Sequence, residues 1–179
     1  TQDTQLAKLS YELAPGHKLF PSYQSLDDEG IRYLRPHMPG IANGPATPQK
    51  LEQQTITAGY RFAGGNGLPE AELSFFTDEM TNMRTNTTAV FGKPIGYSYG
   101  ERIDAAGVNL TLNSKLGAAR VRYGLNHHRR DLEAINPSKK GVNGNTGEER
   151  SDVTGLFAEG SLPLGSMFLL GLGGRYDWY

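Results

Sequence analysis

The sequence predicts an all-β chain, an antiparallel transmembrane β-barrel segment with about eight long strands that belong to a larger barrel. Three observations lead to this fold class. Apolar and polar residues alternate in separate stretches of roughly 9–12 residues, which is the length of a tilted strand that crosses a membrane. Short turns alternate with long polar connections along the chain. Aromatic residues lie near the ends of the apolar faces, where an outer-membrane barrel carries its interfacial girdles.

The first four stretches each set an apolar face against a polar one. Their apolar faces, in chain order, are Leu9, Tyr11 and Leu13; Leu19, Pro21 and Tyr23; Ile56, Ala58, Tyr60 and Phe62; and Ala71, Leu73 and Phe75. Proline has no N–H to donate to a strand ladder, so Pro21 predicts a bulge or a locally weak pairing in the second strand.

The last four stretches repeat the pattern, and one aromatic residue, Phe157, falls on a polar face. Their apolar faces are Ala106, Val108, Leu110 and Leu112; Ala119, Val121, Tyr123 and Leu125; Leu156, Ala158 and Leu162; and Phe168, Leu170, Leu172, Tyr176 and Trp178. Charges of both signs occupy the polar faces, namely Arg61, Arg120, Arg122, Arg175, Glu70, Glu72 and Glu159. They predict ion pairs along a water-filled interior.

The connections give the predicted orientation. Short turns are expected at residues 14–17, 63–67, 113–115 and 163–166, and long polar loops near 27–49, 79–100 and 127–150. Outer-membrane barrels have short turns in the periplasm and long loops outside. Because the first and last connections are both short, we expect residues 1–179 to be one partial barrel domain, an internal piece of a larger barrel without a plug domain.

Composition excludes several classes of function. Eighteen basic residues against 19 acidic ones give a formal net charge of −1, without the basic excess of a nucleic-acid-binding protein. The chain contains no cysteine, so disulfides and thiolate metal sites are excluded. No catalytic constellation is recognisable, and the acidic run of Asp27, Asp28 and Glu29 lacks the ligand spacing of a calcium site. We therefore expect no enzymatic activity and no resident metal.

Three stretches of the chain are recognisable as sequence patterns: Leu6–Tyr11 with Pro15–His17 and Ser22–Gln24; Ala106–Leu110 with Val121–Leu125; and Gly155–Glu159 with Leu172–Asp177. Together they resemble the middle of the barrel in TonB-dependent outer-membrane receptors, and their sequences are nearest to the haem and haemoprotein branch. The resemblance implies a barrel of about 22 strands closed by an amino-terminal plug. It also implies an outer-membrane location and energy from the TonB complex through that amino-terminal part. No intrinsic cofactor is implied, and haem or a ferric siderophore would be the transported ligand.

Two groups of residues in the predicted loops are candidate ligand-binding residues. One group begins the third loop and consists of His127, His128, Arg129 and Arg130; the other lies in the first loop and consists of Tyr33, Arg35 and His37. Imidazole can ligate haem iron, and arginine can hold haem propionates or the carboxylates of a siderophore. The alternative for the first group is a solvated loop base that contacts lipopolysaccharide or nothing. The alternative for the second group is a rigid exposed loop, which Pro36 and Pro39 suit equally well.

Two other architectures are compatible with alternation alone. A complete eight-stranded outer-membrane barrel could act as an adhesin or a structural protein, but its termini would then lie on the short-turn side. A soluble lipocalin-like binding barrel has a similar number of strands, with the apolar face directed inward. In the receptor interpretation the apolar face contacts lipid and the charged face borders water.

Overall fold

The computed structural model describes residues 1–33, 46–65, 67–89, 93–136 and 148–179. Within these ranges the chain consists of β-strands and turns, and the ten strands are β1 (Gln2–Lys8), β2 (Tyr11–Ala14), β3 (His17–Leu19), β4 (Ser22–Tyr33), β5 (Ala46–Phe62), β6 (Glu70–Thr85), β7 (Ser98–Leu116), β8 (Ala119–Ile135), β9 (Glu149–Leu164) and β10 (Phe168–Trp178). Among the described residues, none belongs to a helix with the length and apolar character required to span a bilayer.

All ten strands form one antiparallel sheet in which successive passes of the chain lie side by side. The order is β1-β4-β5-β6-β7-β8-β9-β10, and β3 pairs with both β2 and β5. β1 continues into β2, and β3 into β4, after interruptions of two residues each. The sheet therefore crosses back and forth eight times, as the alternation predicts. β1 and β10 do not pair with each other, so the sheet is open and the closed eight-stranded barrel is wrong.

The interruption between β3 and β4 lies at Phe20 and Pro21, where the sequence predicts weak pairing. Hydrogen bonding continues around it, because Phe20 N donates to Gly59 O at 2.8 Å and Leu9 N donates to Pro21 O at 3.0 Å. The proline accepts a bond through its carbonyl where it has no N–H to donate. The bulge or weak pairing predicted at Pro21 is thus a two-residue interruption between β3 and β4, across which hydrogen bonds to the neighbouring strands continue.

One short turn lies a few residues beyond its predicted position. The sequence places the connection between the fifth and sixth strands at residues 113–115, but β7 continues to Leu116 and the turn is Gly117 and Ala118. Gly117 has a φ of 64°, a left-handed conformation that glycine adopts without a Cβ penalty. The prediction of a turn at 113–115 is wrong because these polar residues belong to the β7 ladder, where they pair with residues 120–122 of β8.

The strands extend far into all three predicted loops. β4 continues to Tyr33 and β5 begins at Ala46; β6 ends at Thr85 and β7 begins at Ser98; β8 ends at Ile135 and β9 begins at Glu149. For the loops predicted near 27–49, 79–100 and 127–150, the starts are therefore wrong by several residues, whereas the ends lie within a few residues of the following strands. Outside an apolar layer both faces of a strand can be solvated, so the backbone ladder continues after the apolar alternation ends.

Strand register brings the predicted apolar faces together on one side of the sheet. One row of directly paired residues contains Leu73, Leu110, Leu125, Leu156 and Tyr176. The predicted polar faces meet on the other side, where Arg61 lies opposite Glu72 and Arg122 lies opposite Glu159. We call the apolar side the outer face and the polar side the inner face.

Exposure along β5, together with the position of the buried apolar residues, indicates that the inner face is the concave one. Along β5, inner-face residues from Thr47 to Gly59 are half-buried or buried, whereas outer-face residues from Pro48 to Ala58 are exposed. Ile56 on the outer face is 54% exposed, while the buried apolar residues among those described, Ile103 and Val153, lie on the inner face. The described sheet has no dry centre made of its outer-face residues. The lipocalin-like alternative, which requires the apolar face inside, is therefore wrong.

Candidate functional site on the inner face

Charged residues at the turn end of the inner face form the predicted ion pairs. Arg61 donates from Nε and Nη2 to Glu72 Oε2, at 2.9 and 2.6 Å. Arg122 Nη1 lies 3.6 Å from Glu159 Oε1 on the neighbouring strand. All four side chains are exposed by more than a third, so each pair contributes at most about 1 kcal/mol. They make the inner face compatible with water and add little to stability.

A second charged group lies in the middle of the inner face at β10. Arg175 Nε donates to Asp177 Oδ2 at 2.7 Å, and its Nη2 donates to Asn126 Oδ1 at 2.9 Å. The group lies over Gly155, where an added Cβ would be 2.2 Å from Asp177 Oδ1. The glycine therefore provides the space in which these polar side chains meet.

Farther from the short turns, polar side chains continue along the inner face on β5 and β6. Asp78 accepts hydrogen bonds from Gln53 Nε2, at 2.9 Å, and from the Thr55 hydroxyl. Gln49 Nε2 donates to Asn82 Oδ1 at 2.7 Å. These contacts hold amide and carboxylate groups in fixed orientations along the concave surface, as polar recognition requires.

Three inner-face phenylalanines lie over glycines of neighbouring strands. The pairs are Phe20 on Gly59, Phe76 on Gly107 and Phe157 on Gly124; a Cβ added to these glycines would approach the rings at 2.0, 2.5 and 3.0 Å, respectively. Aromatic rings opposite glycines compensate for the missing side chain and fix strand register. This explains why Phe157 departs from the apolar pattern.

The candidate residues at positions 127–130 do not form one cluster, because they belong to β8 and alternate between its faces. His127 pairs with Val108 and Thr154 on the outer face, and its Nδ1 is 2.8 Å from Thr154 Oγ1. His128 pairs with Gly107 and Val153 on the inner face. The prediction that these residues begin a loop is wrong.

The two arginines of this group divide in the same way. Arg129 is on the outer face opposite Asp152, and Arg130 is on the inner face opposite Ser151. Only His128 and Arg130 therefore belong to the concave surface. The structure does not test ligand binding by any of the four, which stays a prediction.

The second candidate group is only partly described. Tyr33 is the last residue of β4, opposite Ala46, and 53% exposed. It alternates with inner-face Arg32 and therefore lies on the outer face. Arg35 and His37 lie outside the described residues.

Charged residues also line the outer face beyond the apolar rows, a feature that the sequence prediction missed. Arg129 Nε donates to Asp131 Oδ2 at 2.7 Å, and Arg150 Nε donates to Asp152 Oδ2 at 3.0 Å. Arg150 Nε is also 3.8 Å from Asp131 Oδ1. The hydrogen bond from Arg129 holds the pKa of the Asp131 carboxyl below its ordinary value. The signal was the repeated spacing of a basic residue two positions before an acidic one.

Metal binding has no support in the described ranges. They contain no group of three or more histidine, aspartate or glutamate side chains arranged to hold a metal ion. Asp28, from the acidic run on β4, forms a salt bridge with Arg32.

Comparison with known proteins gives a family and a fold. The family model described as "TonB dependent receptor-like, beta-barrel" matches residues 7–179. None of the curated protein sequences matches the chain. Two variants of the FrpB iron transporter from Neisseria meningitidis have a similar structure: F5-1, at 17% identity and a TM-score of 0.76, and F3-3, at 18% identity and a TM-score of 0.77.

Each of these matches covers 98% of this chain, and the chain spans 31% of the F5-1 protein and 30% of the F3-3 protein. Members of the matched family are transporters, in agreement with the expectation that the chain is not an enzyme. The family match and the open, outward-apolar sheet lead to the same conclusion: the chain belongs to the TonB-dependent receptors and forms part of the β-barrel of these bacterial outer-membrane proteins.

Proposed function

We propose that the chain contributes barrel wall to an outer-membrane receptor that imports an iron complex, haem or a haemoprotein ahead of a ferric siderophore. The observation that carries the proposal is the series of hydrogen-bonded and ion-paired polar side chains along the concave face, on a sheet whose fold is that of an iron transporter barrel. A polar, water-compatible interior next to an apolar exterior suits passage of a charged complex across a membrane.

In this proposal the receptor takes energy from the TonB complex through a part of the protein outside residues 1–179. The long connections between strands would face outward and capture the ligand. Inner-face ion pairs such as Arg61–Glu72 would then border a plug and the ligand path. Their two signs make the wall hydrophilic without a strong preference for one charge.

The ligand-contacting residues in this proposal are those that the geometry leaves on the concave side. His128 could ligate haem iron and Arg130 could pair with a propionate or a siderophore carboxylate. Arg35 and His37 keep the role predicted from the sequence. His127 and Arg129 lie on the outer face beyond the apolar rows, so we assign them to contact with lipopolysaccharide.

Growth under iron limitation tests this function. A strain without the full-length gene should fail to grow when haem or haemoglobin is the iron source and should recover with the wild-type gene. The His128→Gln variant should require about tenfold more haem for half-maximal growth, as expected when an anchoring contact worth about 1.4 kcal/mol is lost. His127→Gln is the matched control, because the adjacent histidine faces the other way.

Three results would count against the proposal at different levels. Normal growth of the deletion strain on every iron source would exclude the proposed receptor function. A deletion phenotype restored equally by both histidine variants would leave the receptor and remove His128 from the ligand site. If the wild-type gene restores growth only when a ferric siderophore is the iron source, the ligand is a siderophore and not haem.

A further inference from the structure

We propose that His17 and Tyr60 bind the headgroup of a phosphatidylethanolamine molecule in the membrane leaflet next to the periplasm. His17 begins β3 and lies opposite Phe62 of β5 on the outer face. Tyr60 precedes Phe62 by two residues and lies on the same face. This end of the sheet carries the short turns, which outer-membrane barrels place in the periplasm. The site concerns the surrounding membrane and does not depend on transport of an iron complex.

Two aromatic neighbours hold the imidazole of His17. Its Nδ1 is 2.6 Å from the Tyr60 hydroxyl oxygen. Its ring centroid is 5.0 Å from that of Phe62, and the two ring planes are inclined by 33°. All three side chains are half-buried. The hydrogen bond and the ring contact together fix the orientation of an imidazole that still reaches the membrane surface of the barrel.

Small side chains on both sides leave these rings open to the membrane. The row of paired residues nearest the turn runs across β2, β3, β5 and β6 and consists of Ala14, His17, Phe62 and Ala71. The two rings thus stand between two alanines. A lipid headgroup can approach them from the membrane without displacing a larger side chain.

The His17–Tyr60 pair has unused hydrogen-bonding capacity in either tautomer of the imidazole. If the Tyr60 hydroxyl donates to Nδ1, the Nε2–H is a free donor and the phenol oxygen a free acceptor. If the Nδ1–H donates to the phenol oxygen, the hydroxyl is the free donor and Nε2 the free acceptor. Neither side chain has another polar partner in the part of the chain that the structure describes. A donor and an acceptor are therefore available to a ligand in both cases.

This combination of groups selects the headgroup. Phosphate oxygens accept hydrogen bonds and the ammonium of ethanolamine donates them, so phosphoethanolamine complements both free groups at once. Phosphocholine contains the same phosphate, but its quaternary ammonium has no N–H to donate. The outer-face residues paired with His17, Tyr60 and Phe62 carry no charge that would favour an anionic headgroup; besides these three residues themselves they are Ala14, Leu19, Ala71 and Leu73.

Native mass spectrometry of the full-length receptor in detergent, without any iron complex, tests the site by counting bound lipid molecules. The lipids are phosphatidylethanolamine and phosphatidylcholine with the same acyl chains. Wild-type protein should bind phosphatidylethanolamine about tenfold more tightly, the effect of one hydrogen bond to a charged group. The His17→Phe variant keeps an aromatic ring against Phe62 and should bind both lipids equally. Tyr60→Phe should lose most of the preference.

Tyr11→Phe is the matched control, because it removes the hydroxyl of an outer-face tyrosine that lies opposite Leu19 and is 59% exposed. This variant should keep the wild-type preference. Equal affinity of wild-type protein for the two lipids would overturn the site, and so would a full preference in His17→Phe. If His17→Phe does not fold, an unchanged preference in Tyr60→Phe would overturn it. Because the measurement contains no iron complex, failure here is distinguishable from failure of the receptor function.

Discussion

Replacement of Gly124 by valine is expected to prevent assembly of the sheet. A Cβ at this position would lie 2.0 Å from the backbone oxygen of Leu110 and 3.0 Å from Cε1 of Phe157. The backbone of β7 is held by its ladder with β6 and β8, so it cannot move away without breaking hydrogen bonds. We expect a loss well above the 1–3 kcal/mol or so that is typical of overpacking.

The amount of folded, heat-modifiable protein in the outer membrane measures this effect. Gly160→Val is the matched control, since an added Cβ at this glycine of β9, which has a paired strand on either side, meets only the backbone oxygen of Arg120, at 3.8 Å. The control should accumulate as wild type does. Normal assembly of Gly124→Val would show that the close approach between β7 and β8 is not a feature of the folded receptor.

A charge on the outer face is expected to destabilise the barrel far more than the same charge on the inner face. Leu110 lies in the middle of the leucine-rich row, between Leu73 and Leu125. Arginine at the centre of a lipid-facing barrel surface costs about 2–4 kcal/mol. The Leu110→Arg variant should therefore unfold at a markedly lower denaturant concentration in lipid vesicles.

The adjacent residue provides the comparison. Thr111 is on the inner face opposite Glu72, so Thr111→Arg places the new charge in the aqueous interior near a carboxylate. Its free energy of unfolding should stay within about 1 kcal/mol of the wild-type value. Equal destabilisation by both variants would contradict the assignment of the two faces.

The period-two pattern predicted the faces of the sheet because a lipid layer and an aqueous interior impose opposite requirements on successive residues. Paired apolar rows such as Leu73–Leu110 follow directly from it. So does the Arg61–Glu72 ion pair, since the pattern puts both residues on the polar face and strand register places them opposite each other. The interruption between β3 and β4 is likewise predictable from Pro21, because proline has no backbone N–H to donate.

The strand ends and the candidate ligand residues were harder to predict. Beyond the apolar layer, polar residues on both faces give no periodic signal, so positions such as Arg84 and His127 were assigned to loops although they belong to strands. Without a strand assignment the sequence does not predict the faces of residues 127–130, whose side chains point in alternate directions. Glycine positions opposite phenylalanines could not be inferred, because they depend on register between distant segments.

The central claim is that the outer face contacts lipid while the inner face contacts water. The chain has no cysteine, so single spin-labelled cysteines can be introduced at position 106 and at each position from 108 to 113 of β7 in the receptor reconstituted in bilayers. Gly107 is left unchanged, because a Cβ there would lie 2.5 Å from the Phe76 ring. Accessibility to oxygen, which concentrates in lipid, should peak at positions 106, 108, 110 and 112. Accessibility to a water-soluble nickel chelate should peak at the positions between them. Even-numbered positions inaccessible to both reagents, with odd-numbered positions open to both, would contradict the account.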